Sequence, residues 1–279
     1  MPLSVRMAPR DPPFPDPEMA AEIAAVAEAL ADIARPVTLA RFRSAELAAE
    51  SKGASGFDPV TEADRDAERA MRAALSRLRP EDAVAGEEFD PKPGSSGLTW
   101  VLDPIDGTRG YLSGTPTWGV LIAAVDAAGP LYGIIDQPYI GERFWGGFGQ
   151  AGLTGPMGKS ALRTRDPRPL SEAILFTTFP EIGTAAERAA FDGLAARVRL
   201  TRYGMDCYAY ALLAAGQIDL VVEAGLQAHD IAAPIAVIEA AGGLVTGWDG
   251  GPAHHGGRVV AAANADIHAA ALAMLGGGG

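Results

Sequence analysis

The segment Trp100–Thr108 reads WVLDPIDGT, and this segment decides how the rest of the chain is interpreted. Its apolar start predicts a short buried strand that ends at Asp103. Pro104 restricts the backbone between Asp103 and Asp106, so the turn can aim both carboxylates and the Ile105 carbonyl at one point. Such hard oxygen atoms are the ligands that Mg²⁺ prefers, and ligand crevices of open α/β sheets lie just beyond strand ends. The segment therefore predicts a metal site at the edge of a sheet.

The same segment also has an ordinary structural interpretation. Asp, Pro and Gly are the commonest turn formers, and an isolated DPxDG string is more often a polar turn than a metal site. In the functional interpretation, Gly107 and Thr108 present backbone amide protons to a phosphate. The segment alone does not decide between the two interpretations.

Three further acidic residues are candidates for the same site, and each has a structural alternative. Glu87, in a GEE string, could touch both a cation and a water and help to deprotonate that water, or it could lie in an exposed acidic loop. Asp64 fits the third position of a capping box that Thr61 begins. Asp230 fits the cap of a helix from 231 to 241. Taken singly, each acid is expected to be structural more often than functional.

The order of predicted elements indicates a layered α/β fold. An alanine-rich helix is predicted over 17–34, ended by Pro36, and another helix begins at Thr61. Two or three strands are predicted between 117 and 145. In the second half, predicted strands over 171–178, 198–201 and 218–222 alternate with predicted helices over 185–196 and 207–215. Such alternation is typical of a sheet covered by helices.

Composition disfavours several classes of protein. The chain has 279 residues, 48% of them hydrophobic, and its net charge of −12 disfavours nucleic acid and anionic membranes as partners. Cys207 is the one cysteine, which excludes an internal disulfide, and because no apolar segment has the length of a signal peptide or membrane span we expect a cytoplasmic protein. His229, His254, His255 and His268 are too poorly spaced for a zinc site, so surface or loop roles are expected. Neither a nucleophile elbow nor a P-loop motif occurs.

Four motifs in a fixed order resemble the inositol monophosphatase superfamily of metal-dependent phosphatases. They are DPVTEAD at 58–64, GEE at 86–88, DPIDGT at 103–108 and DIAA at 230–233. The resemblance extends from about residue 17 to about residue 270, and an ordered set of four motifs is far more specific than any one of them. It implies an αβαβα sandwich with an α+β metal-binding half at 17–150 and an α/β substrate half at 151–273. A flexible arm at 1–16 and a glycine-rich tail at 274–279 would flank the two halves.

The resemblance also implies the composition of the metal site. Two or three Mg²⁺ ions, which Mn²⁺ could replace, would be bound by Glu87, Asp103, the Ile105 carbonyl, Asp106 and Asp230. Asp64 would lie near a weaker ion, Thr108 would pair with Glu87 to orient the attacking water, and Lys52 would belong to a mobile loop. The ions would neutralise the phosphate, lower the pKa of the water and stabilise the departing alkoxide. Inhibition by Li⁺ and a homodimer are further expectations from the family.

The implied substrate is a small phosphate monoester, and the resemblance is greatest to the histidinol-phosphatase branch. The strings RGYLSG at 109–114, DCYAY at 206–210 and EAGL at 223–226 carry this part of the resemblance. Asp206 and Glu223 could pair with the ammonium and imidazole groups of histidinol phosphate. The full set of implied substrate-binding residues is Gly107, Thr108, Arg109, Gly204, Met205, Asp206 and Glu223.

Several alternatives remain open for the substrate and the activity. Asp206 could solvate a helix start, and Glu223 could simply end a strand. Gly110 departs from the alanine expected after Arg109, and His229 replaces the aromatic residue common before the last metal aspartate. An inositol-1-phosphatase or a broad phosphatase is therefore the alternative to a histidinol-phosphatase of histidine biosynthesis. A noncatalytic metal-binding regulator is an alternative of another class, which the intact acidic set disfavours.

Overall fold

The structure, a computed structural model, describes residues 15–45, 49–51 and 59–276. Lys52, the predicted arm up to residue 14 and residues 277–279 of the predicted tail lie outside the described residues. The helices are α1 Pro17–Arg41, α2 Glu62–Leu78, α3 Thr108–Ser113, α4 Ala185–Ala195, α5 Asp206–Ala214, α6 Ala228–Ala240 and α7 Ala265–Leu275. The strands are β1 Ala49–Ser51, β2 Pro59–Thr61, β3 Ala83–Gly86, β4 Thr99–Asp106, β5 Gly119–Asp126, β6 Gly129–Gln137, β7 Glu142–Gly147, β8 Gln150–Gly155, β9 Gly158–Ala161, β10 Ile174–Thr177, β11 Leu200–Tyr203, β12 Leu220–Leu226, β13 Leu244–Gly247 and β14 Gly257–Ala262.

Two large sheets organise the described part of the chain. The first has the order β3-β4-β5-β6-β7-β8-β9 and is antiparallel apart from the parallel β3–β4 pair. The second has the order β11-β10-β12-β14-β13, with β10 parallel to both of its neighbours and β14 antiparallel to both of its own. The first sheet continues to Ala161, beyond the predicted boundary at residue 150. A division of roles between the two halves stays a prediction.

Alternate residues on the central strands separate the apolar side chains into three layers of core. On β5, Val120 and Ile122 face the core formed with α1 and α2, whereas Leu121 faces the core formed with α5 and α6. On β14, Val259 faces the α5–α6 core and Val260 faces a third core formed with α4 and α7. The layers are therefore α1 and α2, the first sheet, α5 and α6, the second sheet, then α4 and α7. The predicted αβαβα sandwich is confirmed.

Helix α6 lies between the two sheets and is apolar on all sides. Its residues from Ile231 to Ile238 are all buried, as expected for a helix with no face toward water. It approaches the first sheet closely where that sheet has glycine. A Cβ built on Gly133 would lie 2.4 Å from the Ala233 carbonyl oxygen, and one on Gly146 would lie 2.6 Å from the Val237 Cα. Helix α6, including its N-terminal end, can therefore take this position only because these residues of the first sheet are glycines, which have no side chain.

Helix α1 is longer than the sequence predicts. It continues to Arg41 with Pro36 inside it, where the prediction ended it. The proline removes one N–H donor from the helix. Ala34 and Thr38, on either side of Pro36, are fully buried, and the Thr38 hydroxyl donates to the Ala34 carbonyl at 3.1 Å. Packing of this segment outweighs the lost hydrogen bond, because tertiary contacts supply most of the stability of a helix in a protein.

No helix in the described ranges combines the length with the apolar character that crossing a lipid bilayer requires.

Gly133→Ala tests the close approach of α6 to the first sheet. The added methyl group must displace the helix backbone, and such overpacking costs about 1–3 kcal/mol. We therefore expect a lower free energy of unfolding in urea denaturation. Gly193→Ala is the matched control, because Gly193 lies inside α4 with open space where the Cβ would be, and alanine there should add about 0.5–1 kcal/mol of stability. Equal stability of Gly133→Ala and wild type would contradict this packing.

Candidate metal and phosphate site

The two aspartates of the DPIDGT string come to one side of the first sheet because β4 has a bulge. In a regular strand, residues three apart lie on opposite faces. Here Asp103 pairs with Leu121 and Asp106 pairs with Gly119, so β4 advances three residues while β5 advances two. The extra residue compensates for the odd spacing, and Pro104, which has no N–H for the ladder, lies in the irregular stretch. The bulge is thus the local cause of the paired carboxylates.

Glu87 comes to the same edge from the neighbouring strand. Strand β3 runs parallel to β4, and the N–H of Glu87 donates to the Leu102 carbonyl at 3.2 Å. The next N–H, of Glu88, donates to the buried carboxylate of Glu68 at 2.8 Å, and Arg72 contacts that carboxylate at 2.6 Å. Helix α2, which carries both partners, therefore holds the turn that positions Glu87.

Asp64 and Asp230 reach the site from the first turns of two helices. Asp64 is the third residue of α2 and accepts the N–H of Thr61 through Oδ2 at 2.9 Å, so its predicted place in a capping box is confirmed. Asp230 accepts the N–H of Gln227 through Oδ2 at 2.7 Å. Its predicted place as a helix cap is wrong, because α6 begins at Ala228 and Asp230 is the third residue. In both residues Oδ2 accepts a backbone N–H at the start of the helix, so Oδ1 is left for a different partner.

The structure brings four of the predicted ligands together. One oxygen from each of Asp103, Asp106 and Asp230 lies within 4.8 Å of the other two. One oxygen from each of Glu87 and Asp103 lies within the same distance of each other and of a ring nitrogen of His229. Asp103 belongs to both groups. We call these five side chains the acidic cluster. Its members are the carboxylates of Glu87, Asp103, Asp106 and Asp230 and the imidazole of His229.

The acidic cluster needs a counter-charge. Burial raises the pKa of Asp103 and of Asp106 well above the ordinary range, and repulsion from neighbouring carboxylates raises both pKa values further. Burial also raises the pKa of Asp64 to about 6, and its Oδ1 is buried without a hydrogen-bond partner. A divalent cation held by these oxygens would remove the repulsion and complete their coordination, and carboxylate oxygens suit hard cations. The residues present therefore fit a cation of the magnesium type.

A cavity of about 330 Å³ lies against the acidic cluster. It is formed by the DPIDGT turn, the start of α5 and the end of β12, so both sheets contribute to it. Gly204 and Met205 directly precede α5 and are not among the residues that line the cavity. The other predicted substrate-binding residues do line it, and these are Gly107, Thr108, Arg109, Asp206 and Glu223.

Asp206 occupies a strained position at the start of α5. Its φ of +46° is in the left-handed region, which is uncommon for a residue other than glycine. The Thr117 hydroxyl donates to its carboxylate at 3.0 Å, and burial raises the pKa of that carboxylate. Gly107, with φ +82°, must be glycine here, because a Cβ would lie 2.6 Å from the Asp206 Cγ. The following N–H, of Cys207, donates to Asp106 at 2.6 Å, so one turn positions a cavity residue and a cluster residue together.

Glu223 is a buried carboxylate among the residues that line the cavity. Its Oε1 accepts the N–H and the hydroxyl of Thr178 at 2.7 and 2.9 Å, and its Oε2 accepts the hydroxyl of Thr177 at 3.1 Å. Burial nevertheless raises the pKa of Glu223 to about 7. A cationic group that entered the cavity would favour the ionised form of this carboxylate.

The Thr108 hydroxyl donates to the Ile105 carbonyl at 3.2 Å. A carbonyl oxygen has a second lone pair, so Ile105 can still contribute a ligand oxygen. The pairing of Thr108 with Glu87 stays a prediction, and so does the role of Lys52, which lies outside the described residues.

Three residues that were not predicted as site residues join the site. His229 lies in the acidic cluster, not in the surface or loop role predicted for it. Phe179 lines the cavity, with its ring centre 4.9 Å from the guanidinium carbon of Arg109. Tyr210 also lines the cavity, and its buried hydroxyl has no hydrogen-bond partner. The one hint in the sequence was the position of His229 next to Asp230.

A larger groove, of about 1430 Å³, runs between α1 and the strands β7 to β9. Its main charged group is Arg143, which pairs with Glu28, Asp32 and Asp136. These pairs tie α1 to the first sheet. In the described part of the chain, the cluster of Asp103, Asp106 and Asp230 contributes two residues to the wall of the smaller cavity, and the cluster of Glu87, Asp103 and His229 shares Asp103 with it, so we place the chemistry there.

Comparisons with known proteins point to one family of phosphatases. A model of the inositol monophosphatase family matches residues 19–275. The chain is 39% identical over 263 residues to the bifunctional phosphatase IMPL2, chloroplastic, of Arabidopsis thaliana, which covers 90% of this chain and 74% of that protein. It is 37% identical over 259 residues to a histidinol-phosphatase of Streptomyces coelicolor, covering 90% and 95% of the two chains. A solved structure of an inositol monophosphatase from Zymomonas mobilis is 37% identical, with a TM-score of 0.81 over 94% of this chain and 100% of that one.

Mg²⁺ should raise the melting temperature more at pH 7.5 than at pH 5. The raised pKa of Asp64, from 3.8 to about 6, means that the metal-free folded state holds an extra proton in this window, so its stability falls as pH rises through it. Asp103 and Asp106 shift in the same direction. A cation binds the ionised cluster, so protons compete with it at pH 5. Thermal unfolding with Mg²⁺ and with EDTA at each pH measures the effect, and an equal gain at both pH values would contradict it.

Proposed function

The chain belongs to the inositol monophosphatase family of phosphatases, and from this premise we propose that it hydrolyses histidinol phosphate to histidinol and phosphate, with Mg²⁺, in histidine biosynthesis. The observation that carries the proposal is a pair of carboxylates in the cavity against the acidic cluster, the half-buried Asp206 and the buried Glu223. One side of this site suits a phosphate with its cations. The other side suits a positively charged alcohol.

The acidic cluster would hold the cations and orient the attacking water. When bound, divalent cations supply the positive charge that neutralises the phosphate and lowers the pKa of the water. Glu87 would accept a proton from that water, and Thr108 would orient it. The N–H groups of Gly107 and Thr108 would donate to the phosphate oxygens. No covalent intermediate with the protein is needed.

The cavity favours a cationic leaving group. Burial raises the pKa of both Asp206 and Glu223, so an ammonium or imidazolium group would restore their ionised forms and gain charge-assisted hydrogen bonds. Inositol offers only hydroxyl groups and would add no positive charge to that of Arg109, which already acts on Asp206. The similarity to a histidinol-phosphatase of Streptomyces coelicolor supports the same substrate.

An inositol-1-phosphatase, or a phosphatase of broad specificity, is the second candidate. The inositol monophosphatase from Zymomonas mobilis supports it, with the same 37% identity that the histidinol-phosphatase has. A noncatalytic metal-binding regulator is disfavoured because each acid of the predicted set is present. The homodimer, the cytoplasmic location, replacement of Mg²⁺ by Mn²⁺ and inhibition by Li⁺ stay predictions.

Asp106→Asn tests the role of the acidic cluster. The substitution keeps the volume and an oxygen that can accept the Cys207 N–H, but it removes one negative charge. We expect the fold to be retained and phosphate release to fall by at least about 100-fold, the loss typical of removing one group that stabilises a transition state electrostatically. Asp166→Asn is the control, because Asp166 is 74% exposed in a surface pair with Arg163. Unchanged turnover in Asp106→Asn would refute the proposed mechanism.

Glu223→Gln tests the substrate. A hydrogen bond to a charged group is worth about 1.5–3 kcal/mol, so kcat/KM for histidinol phosphate should fall by about tenfold or more, whereas kcat/KM for inositol 1-phosphate should fall less. Both substrates are compared with wild type in a phosphate-release assay with Mg²⁺. If the wild type turned over inositol 1-phosphate far faster than histidinol phosphate, the substrate assignment would be wrong, while the phosphatase mechanism would stand.

A further inference from the structure

His229 faces three carboxylates of the acidic cluster. It is the second residue of α6, directly before Asp230, and 22% of its side chain is exposed. One ring nitrogen lies within 4.8 Å of carboxylate oxygens of both Glu87 and Asp103. Its Nε2 lies 3.5 Å from Oδ1 of Asp230. The imidazole therefore takes part in the same convergence of side chains as the predicted ligands.

Hydrogen bonding does not account for this arrangement. A separation of 3.5 Å is longer than the 2.7–3.2 Å typical of an N–H···O bond, and one imidazole cannot satisfy three carboxylates. Ligand atoms of one first-row cation lie about 2.0–2.2 Å from it, and hence up to about 4.4 Å from each other. Small side-chain rotations of Glu87, Asp103 and His229 would bring their ligand atoms to these distances.

Asp64 is independent evidence for a missing ligand on this side of the cluster. Its side chain is 1% exposed, and its Oδ1 is buried without a hydrogen-bond partner. Its carboxylate is close enough to interact electrostatically with Glu87 and with Asp103. An orphaned buried oxygen of this kind is costly unless something binds it. A cation between Glu87, Asp103 and His229 would be attracted electrostatically by this oxygen.

We propose that His229 binds a divalent cation together with Glu87 and Asp103, which gives the site one position with a nitrogen ligand beside the all-oxygen position of Asp103, Asp106 and Asp230. Imidazole suits Zn²⁺ and Co²⁺ better than Mg²⁺, whereas carboxylates suit Mg²⁺. The two positions therefore differ in the cation that they prefer. This inference rests on the proposed function, because it concerns the same site.

Titration of the untagged protein with Co²⁺, followed by proton NMR, tests the assignment. A histidine bound to high-spin Co²⁺ gives strongly shifted ring resonances, one of which, the N–H signal, disappears in deuterated water. We expect these signals in wild type and their loss in His229→Phe, which keeps a ring and removes both nitrogens. His255→Phe is the matched control, because His255 is exposed and packs against His254, with 4.2 Å between the ring centres and the ring planes tilted by 56°. It should keep the signals.

Calorimetry gives a second readout of the same variants. His229→Phe should lower the affinity for Co²⁺ by at least about tenfold. Removing a residue that only supports a metal ligand typically lowers metal affinity by about 10–100-fold, and removing a ligand should lower it by no less. The affinity for Mg²⁺ should change much less, because Mg²⁺ prefers the oxygen ligands that remain. If His229→Phe does not fold, His229→Gln replaces it in both measurements.

The outcomes separate this inference from the proposed function. Co²⁺ bound without shifted histidine signals would overturn the role of His229, and phosphate release with Mg²⁺ would then leave the phosphatase function intact. Signals that survive His229→Phe, or that disappear only in His255→Phe, would also overturn it. Signals that depend on His229 in a protein that releases no phosphate from any monoester would support the inference and refute the proposed function alone.

Discussion

Carboxylates from separate elements converge on one site, and their mutual repulsion is the interaction that this fold has to accommodate. A bulged strand supplies Asp103 and Asp106, a parallel neighbour supplies Glu87, and the central helix supplies Asp230. Backbone N–H groups hold individual carboxylates in place, as that of Cys207 holds Asp106 at 2.6 Å. The sandwich thus encloses groups that repel each other, and burial together with this repulsion raises the pKa values of Asp103 and Asp106. A divalent cation bound by these carboxylates would offset the repulsion between them.

Much of the fold follows from local patterns in the sequence. The apolar run before Asp103, the capping box of Thr61 and Asp64, and the alternation of strands and helices in the second half are each encoded within a few residues. The misses come from tertiary packing. Helix α1 continues through Pro36 because the residues around it are buried, and the first sheet continues to Ala161 because β8 and β9 pair with strands already present.

Some residues of the site could be predicted from the sequence, whereas others are identified only by the fold. Glu87, Asp103, Asp106 and Asp230 could be predicted because four motifs occur in order, although each acid alone has an ordinary structural explanation. His229 could not, because nothing in its spacing relates it to residues far away along the chain. Phe179 and Tyr210 were missed for the same reason, since a cavity wall is a property of packed elements.

Anomalous diffraction from crystals soaked in Mn²⁺ would locate the bound cations without reference to activity. We expect peaks within coordination distance of carboxylate oxygens of Asp103, with Glu87, Asp106 and Asp230 completing the ligands. Peaks confined to exposed acidic residues, with none between these four side chains, would contradict it.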